Sequence, residues 1–360
     1  MMKKSINQKT GMLIWLCLIF PLTQWAQAPS RYSIKRLVPL EGPSAVAYSI
    51  NRTGQVAGGS GPAHAPSAVA VVWSGTNVRG IHGSKHSGYT NAYGINVAQR
   101  VVGSTNTDTS LRAFTSTSQG QMYLLPVLPG DNSSEAFAIN DADVVCGFSG
   151  GASGLRAVLW IGSEVRNLGT LAGGDHSEAV GLNSEGDAVG FSDISNGRHA
   201  VLWTNSGTMR DLGSLSGDTI SSASAINDAR QVVGTSEGES GSRAILWSQT
   251  EGMQSLGTLP GGTHSRAAAI NNSSEVVGSS DSSLGQRAFI WTQSSGLVDL
   301  NSLLPPDSNV ILSGAVGIND AGQIVALGGI GHDLSHDRAA DFDDHAHGGL
   351  VYVFLLTPIR

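Results

Sequence analysis

The stretch Ala223-Ser224-Ala225-Ile226-Asn227-Asp228-Ala229-Arg230-Gln231-Val232-Val233-Gly234 decides the fold, because its pattern returns with Asn at positions 51, 96, 140, 183, 227, 271 and 319. The intervals are 45, 44, 43, 44, 44 and 48 residues. Four residues before each Asn stands an Ala (Ala47, Ala92, Ala136, Ala179, Ala223, Ala267, Ala315), two before it Ser, Gly or Ala, and one before it Ile or Leu. Seven copies of a unit near 44 residues describe a repeat protein, and a period of that size fits the blades of a β-propeller better than the short turns of a solenoid.

Each unit reads as four short strands. In the first, an alternation of two places the Ala, the small residue and the Asn on one face, and the Ile or Leu with the residue at −3 on the other. A face kept small in every copy implies a close neighbour. Turn formers follow the Asn, as in Arg52-Thr53-Gly54, Asp141-Ala142-Asp143, Ser184-Glu185-Gly186 and Asp320-Ala321-Gly322. An Asn side chain hydrogen-bonds the backbone of a turn it opens, so its sevenfold recurrence reads as structural rather than catalytic. The second strand, Gln-Val-Val-Gly or a near copy, carries Gly58, Gly103, Gly147, Gly190, Gly234 and Gly278, with Ala326 in the last unit. Glycine inside a strand marks a close backbone approach or a bulge. The third strand, Arg-Ala-Val-Leu-Trp in one copy, keeps Trp73, Trp160, Trp203, Trp247 and Trp291 in phase, with Ser116 at that position in the second unit. An aromatic so repeated reads as core. Leu168–Leu171, Leu212–Leu215 and Leu256–Leu259, of the Leu-Gly-Thr-Leu type, read as fourth strands.

The ends of the chain divide one unit between them. The seventh Asn unit has strands near Ala315 to Leu327 and at Leu350 to Leu356, but no fourth strand follows. Tyr32 to Leu40 precedes the first unit and fits the missing strand. Terminal strands that share a blade close a propeller and protect its edges. The expectation is an all-β, seven-bladed β-propeller closed by the N-terminal strand, with an open β-solenoid as the alternative.

The chain begins like an export signal: Lys3, Lys4 and Lys9, then an apolar run from Met12 to Leu22, then Ala26-Gln27-Ala28 as a cleavage site. The run is shorter than a bilayer span. Residues 1–28 are therefore expected to leave, with 29–360 forming one repeat domain in a secreted or periplasmic location. Removing three lysines takes the net charge from −7 to −10, which argues against nucleic acid or an anionic membrane as partner. Cys146 alone remains after cleavage, so no intramolecular disulfide forms, and its place in the second strand reads as a buried thiol.

Arg287-Ala288-Phe289-Ile290-Trp291 and His199-Ala200-Val201-Leu202-Trp203, followed by Leu-Gly-Thr-Leu, then Gly-Gly-x-His-Ser (Gly173 to Ser177, Gly261 to Ser265), then the Ala-Ile-Asn unit, resemble the HAF-repeat family of bacterial extracellular repeat proteins. The resemblance spans nearly all of the mature chain and is most specific in units three to six. It implies a secreted or surface location and brings no catalytic residues with it.

In an up-and-down blade, the loops between strands two and three and those leading into the next unit share one face. That face collects His86, His176 and His264 with Arg112, Arg156, Arg243 and Arg287. The arginines read as structural partners of carboxylates such as Glu178 or Asp218, with an anion-binding ring as the other reading. One insertion breaks the repeat: Gly329 to Gly349 holds His332, Asp333, His336, Asp337, Asp341, Asp343, Asp344, His345 and His347. His332, His336, Asp337, Asp344, His345 and His347 offer ligands for a divalent metal such as zinc, while a solvated polar loop is the plainer reading. Three function classes follow: a noncatalytic binding propeller for an extracellular glycan, peptide or protein, a metal-dependent hydrolase or lyase acting on an extracellular polymer through the insertion, and a surface scaffold without a small ligand.

Overall fold

The computed structural model describes residues 32–61, 69–82, 89–331 and 351–359. The expected signal segment 1–28, His86 and the metal-ligand candidates His332, His336, Asp337, Asp344, His345 and His347 lie outside the described residues. Among the described residues the protein is all-β apart from a 3-10 turn at Leu300–Leu303, and no helix is long and apolar enough to cross a membrane.

The strands form four-stranded antiparallel meanders. Ser44–Ile50, Val56–Gly61, Val69–Ser74 and Asn77–Gly80 pair in that order, and the same order recurs in each later unit. Counting the quartet that begins at Ser44 as the first, the third and fourth begin at Ser133 and Ser177, and the fifth, at Ile220, is joined to its predecessor by the single pair Arg198↔Ile220. The last sheet is built from both chain ends in the order Tyr32–Leu37, Tyr352–Pro358, Ile324–Ile330, Val310–Ile318, with Tyr32 opposite Pro358 and Leu37 opposite Val353. The N-terminal stretch thus supplies the expected fourth strand. It ends at Leu37 rather than Leu40, because the chain then turns into the next unit: Val38 O accepts from Trp73 Nε1 at 2.7 Å, and the Leu40 and Glu41 amides donate to Ser60 Oγ. First strands of successive units touch one another, and Val310–Ile318 touches Ser44–Ile50.

The strict alternation expected in the first strand does not hold. Every first strand carries a β-bulge between the Ala and the residue two before the Asn, as at Ala47/Ser49, Ala136/Ala138 and Ala223/Ala225. A bulge adds one residue and bends the strand. The residues at −3, −2 and −1 of all seven units consequently border one axial cavity of about 260 Å³. The Ala stays buried between sheets.

The recurrent glycine is explained by close approach. A Cβ on Gly58, Gly103, Gly147, Gly190, Gly234 or Gly278 would lie 1.8–2.0 Å from the carbonyl oxygen of the residue at −5. In the last unit a second bulge, at Leu312/Gly314, moves the contact along, and Gly328 faces Ile311 O while Ala326 is accommodated. Trp73, Trp160, Trp203 and Trp247 are buried as read, while Trp291 is half-buried; valines such as Val189 and Val232 pack with Trp247, and burying each valine contributes roughly 1.5–3 kcal/mol. Cys146 is fully buried, and that burial pushes its thiol pKa upward, as an inert core residue requires.

Leu-Gly-Thr-Leu is not the body of the fourth strand. The strands are Glu164–Asn167, Met209–Gly213 and Gly252–Gly257; the motif follows the first and shares only Leu212-Gly213 and Leu256-Gly257 with the ends of the other two. Its last Leu is tied down by a buried serine of the second strand: the Leu171, Leu215 and Leu259 amides donate to Ser192, Ser236 and Ser280 Oγ. The Ser of Gly-Gly-x-His-Ser does similar work, as does Ser221 at the matching position of the fifth unit. Ser177, Ser221 and Ser265 accept from Ala157, Ala200 and Ala244 N and donate to Gly169, Gly213 and Gly257 O, stitching each unit to the one before.

Candidate functional site

The axial cavity has two ends, and the first strands run from one to the other. At the Asn-turn end, Asn227 Oδ1 accepts from the Ala229 and Gln231 amides at 3.1 and 2.9 Å, the turn chemistry expected of it. Its Nδ2 goes further and donates to Asn271 O at 3.2 Å in the next unit. Asn51, Asn96, Asn140, Asn271 and Asn319 make the same link, the last of them to Asn51 O at 3.1 Å. In the fourth unit Asn183 Nδ2 donates instead to Asp187 Oδ2. Burial alone would raise the pKa of Asp187, but hydrogen bonds from Arg230, the Asn205 amide and Asn183 outweigh it and hold the carboxyl low.

A second ring lies outside these turns. Ser184, Asp228 and Asn272 amides donate to Asp228, Asn272 and Asp320 side chains, and Val97 N donates to Asp141. Arg52 spans the opening, 3.5 Å from Asp141 and 3.7 Å from Asp320. These carboxylates are engaged in joining units.

The opposite end is built by the residues at −7, −5 and −3 of the first strands, and here the units differ. Tyr48, Tyr93 and Phe137 occupy −3 in units one to three, whereas Val180, Ser224, Ala268 and Val316 follow. Their rings form a contiguous row: Tyr48–Tyr93 centroids at 4.8 Å, Tyr93–Phe137 at 5.6 Å and Phe137–Phe148 at 5.9 Å. Asn91, Glu135 and Glu178 hold −5 in units two to four. Burial raises the pKa of Glu135 against hydrogen bonds from Ser104 and Tyr93. Glu178 is pushed up to about 7, chiefly by burial, with Arg198 opposing. Burial also raises Tyr48 and Tyr93. Opposite Glu178 on the neighbouring strand stands Phe191, and the Arg198 guanidinium lies over that ring at 3.8 Å.

Of the residues expected on this face, His176 lies at its rim. Its Nδ1 is 2.9 Å from Asp175 and 3.8 Å from Asp193, and the ligand atoms of these three residues lie within 4.8 Å of one another, so they could hold a metal ion. Arg198 Nε already occupies Asp193 at 2.9 Å. In the corresponding loop Asp281 accepts from the Thr263 and His264 amides, which makes this carboxylate a loop tie. The arginines correct the expectation of carboxylate partners. Arg156 and Arg243 donate to the carbonyls of Asp175 and Thr263, and Arg112 to Leu125 O, because these backbone oxygens lie where the third strand begins. Only Arg287 approaches a carboxylate, Asp299, at 4.0 Å. Asp218 accepts from Ser236 Oγ instead. Each of these four guanidinium groups is thus bonded to its own scaffold. Sequence reading missed Asn91, Glu135, Tyr48, Tyr93, Phe137 and Phe148. Their signal was the departure of −5 and −3 from the repeat, visible only once the units are set side by side.

No protein-family model matches the chain, and no curated protein matches it. Solved structures do. A catalytically inactive variant of virginiamycin B lyase from Staphylococcus aureus, with Quinupristin, is 9% identical over 91% of this chain and 100% of that one, with a TM-score of 0.55. TolB from Acinetobacter baumannii is 11% identical, covering 68% of this chain and 63% of TolB, with a TM-score of 0.50, so the match spans less than two thirds of TolB. The β-propeller domain of the Trilobed protease from Pyrococcus furiosus, described as having an open velcro topology, is 11% identical over 71% of this chain and 81% of that one, with a TM-score of 0.51. At these identities the likeness speaks to architecture alone, and the architecture this chain shares with them is the β-propeller.

Proposed function

We propose that the chain is a closed seven-bladed propeller that works, after export, as a noncatalytic binding module, presenting the loop end of its axial cavity to a glycan, peptide or protein partner. The pairing of Tyr32–Leu37 with Tyr352–Pro358 and the bond from Asn319 to Asn51 support closure. One observation carries the binding reading. Residues that hold the units together recur in nearly every copy, while −5 and −3 abandon the repeat, the −3 rings gathering in one sector of a shared cavity with the −5 carboxylates two residues earlier on the first strands. A space to which each unit adds one side chain is where a repeat protein gains specificity without disturbing its scaffold.

Export rests on the segment 1–28. Glycan-array and pull-down experiments with the secreted mature protein test the function, with Tyr93→Ala and Phe137→Ala as controls. Retention of a partner by wild type and its loss in both variants is expected. A partner held equally by all three would place binding elsewhere, and no partner at all would favour a bare scaffold. Polysaccharide cleavage abolished by chelator and by replacing His332, His336, His345 and His347 would instead favour the metal-dependent enzyme.

A further inference from the structure

Units three and four place the same pair at the loop end: Glu135 opposite Phe148, and Glu178 opposite Phe191. In unit four that pair is filled from within. Arg198 stacks on Phe191, forms an ion pair with Asp193 and lies close enough to Glu178 to oppose the rise that burial gives its pKa. In unit three the matching positions are Leu155 in place of Arg198 and Gly150 in place of Asp193. The carboxylate and the ring are kept, and the cation is missing. Around them the wall is more aromatic than in unit four, because Phe137, Tyr93 and Tyr48 continue the row from Phe148.

A second observation points the same way. Asn91 is 3% exposed, and its Nδ2 donates to the Tyr89 and Tyr48 hydroxyls, leaving Oδ1 as a buried acceptor without a partner. That oxygen faces the niche left by Gly59, 2.5 Å from where a Cβ would sit, at the position held by Ser104, Phe148 and Phe191 in the next three units. Buried acceptors without donors are costly, and a ligand rich in N–H groups relieves them. Arg266, at the same register three units away, is exposed and lies in the sector of small residues.

We propose that the loop end of the axial cavity binds an organic cation, a guanidinium or alkylammonium group, between Glu135 and the rings of Tyr48, Tyr93, Phe137 and Phe148. Ring faces attract cations, a carboxylate supplies the charge-assisted bond, and the net negative charge draws cations toward the protein. The inference rests on the loop end being the binding face and names the chemistry recognised there.

Calorimetric titration of the mature protein with agmatine and with blocked Gly-Arg-Gly tests it, with blocked Gly-citrulline-Gly as the neutral isostere. Binding of the first two and not the third is expected. Tighter binding of the tripeptide assigns the cation to a peptide side chain, and tighter agmatine binding assigns it to a free amine. Glu135→Gln should weaken binding about tenfold. Leu155→Arg should fill the cage as Arg198 fills its own and abolish binding, with an unchanged or higher melting temperature. Equal binding of the citrulline peptide, indifference to both substitutions, or no binding of either cation overturns the proposal. A neutral oligosaccharide that binds, and is lost in Phe137→Ala, would overturn the cation assignment while leaving the binding face intact.

Discussion

The two ends of the axial cavity are made by the same seven strands yet follow opposite rules. At the Asn-turn end nearly every unit repeats one set of contacts, with Asn Oδ1 on its own turn and Asn Nδ2 on the next unit. At the loop end neighbouring units place Tyr93, Phe137 and Val180 at one position and Asn91, Glu135 and Glu178 at another. The difference is a matter of environment. A residue bonded or packed against the next unit meets the same neighbours in each copy and is held to one identity, whereas the −3 side chains at the loop end of the cavity meet one another and differ from unit to unit.

The largest test of the uniform side is Gly190→Ala. Its Cβ would fall 1.9 Å from Glu178 O, a backbone atom with no room to withdraw. A loss of about 3 kcal/mol or more is expected in denaturant unfolding, with the same result for Gly147→Ala. A cost below about 1 kcal/mol at both sites would show that the strands can slide apart and that the repeated glycine answers to something else.

Asp187→Ala probes the one unit where the Asn link is rerouted. The substitution strips Asn183 Nδ2, the Asn205 amide and Arg230 of their shared acceptor, and about 2–4 kcal/mol should be lost. Because the folded carboxyl is held below its usual range, wild type should lose this contribution as pH falls from about 4 through the lowered pKa. The variant should lack that acid-sensitive component, and parallel curves for the two proteins would show that Asp187 is not its source.

Asn227→Ala should cost less, roughly 1–2 kcal/mol, since turn and neighbour each lose one side-chain partner while the backbone ladder persists. Cation binding at the loop end should be unchanged. Altered affinity with unchanged stability would join the two ends functionally and break the contrast between them.

How much of this was legible follows the same division. Asn, Gly and Trp could be read because one residue type met one need many times, and Tyr32–Leu37 because the last unit lacked a strand. The Leu-Gly-Thr-Leu motif lies mostly past the fourth strand because the amide of its last leucine is held in a loop by Ser192, Ser236 or Ser280, a partnership formed across strands. The arginines went astray for a related reason, since backbone carbonyls carry no mark in sequence. The bulge was invisible because alternation and its local failure use the same small residues. The aromatic row needs Tyr48, Tyr93 and Phe137 from three units about 44 residues apart, so no local motif announces it.

The smallest expected effect distinguishes the ends by sign. Glu178 is raised from 4.5 to about 7 by burial, opposed by Arg198 and His176 and reinforced by Glu135 and Asp193. The folded state therefore holds a proton that the unfolded chain releases between these values. Its contribution to stability is fully present below about 4.5 and is lost as pH rises through 7. Glu178→Gln cannot ionise, so it should gain on the order of 1 kcal/mol over wild type above pH 7, the figure discounted for partial exposure, and little below 4.5. Melting curves of both proteins from pH 4 to pH 8 measure the gap. Asp187, at the other end, should act in the opposite direction, since acid removes its stabilising charge. If Glu178→Gln shows no gain above pH 7, Arg198 fully offsets the burial of this carboxylate, and the acid-base contrast between the two ends is lost.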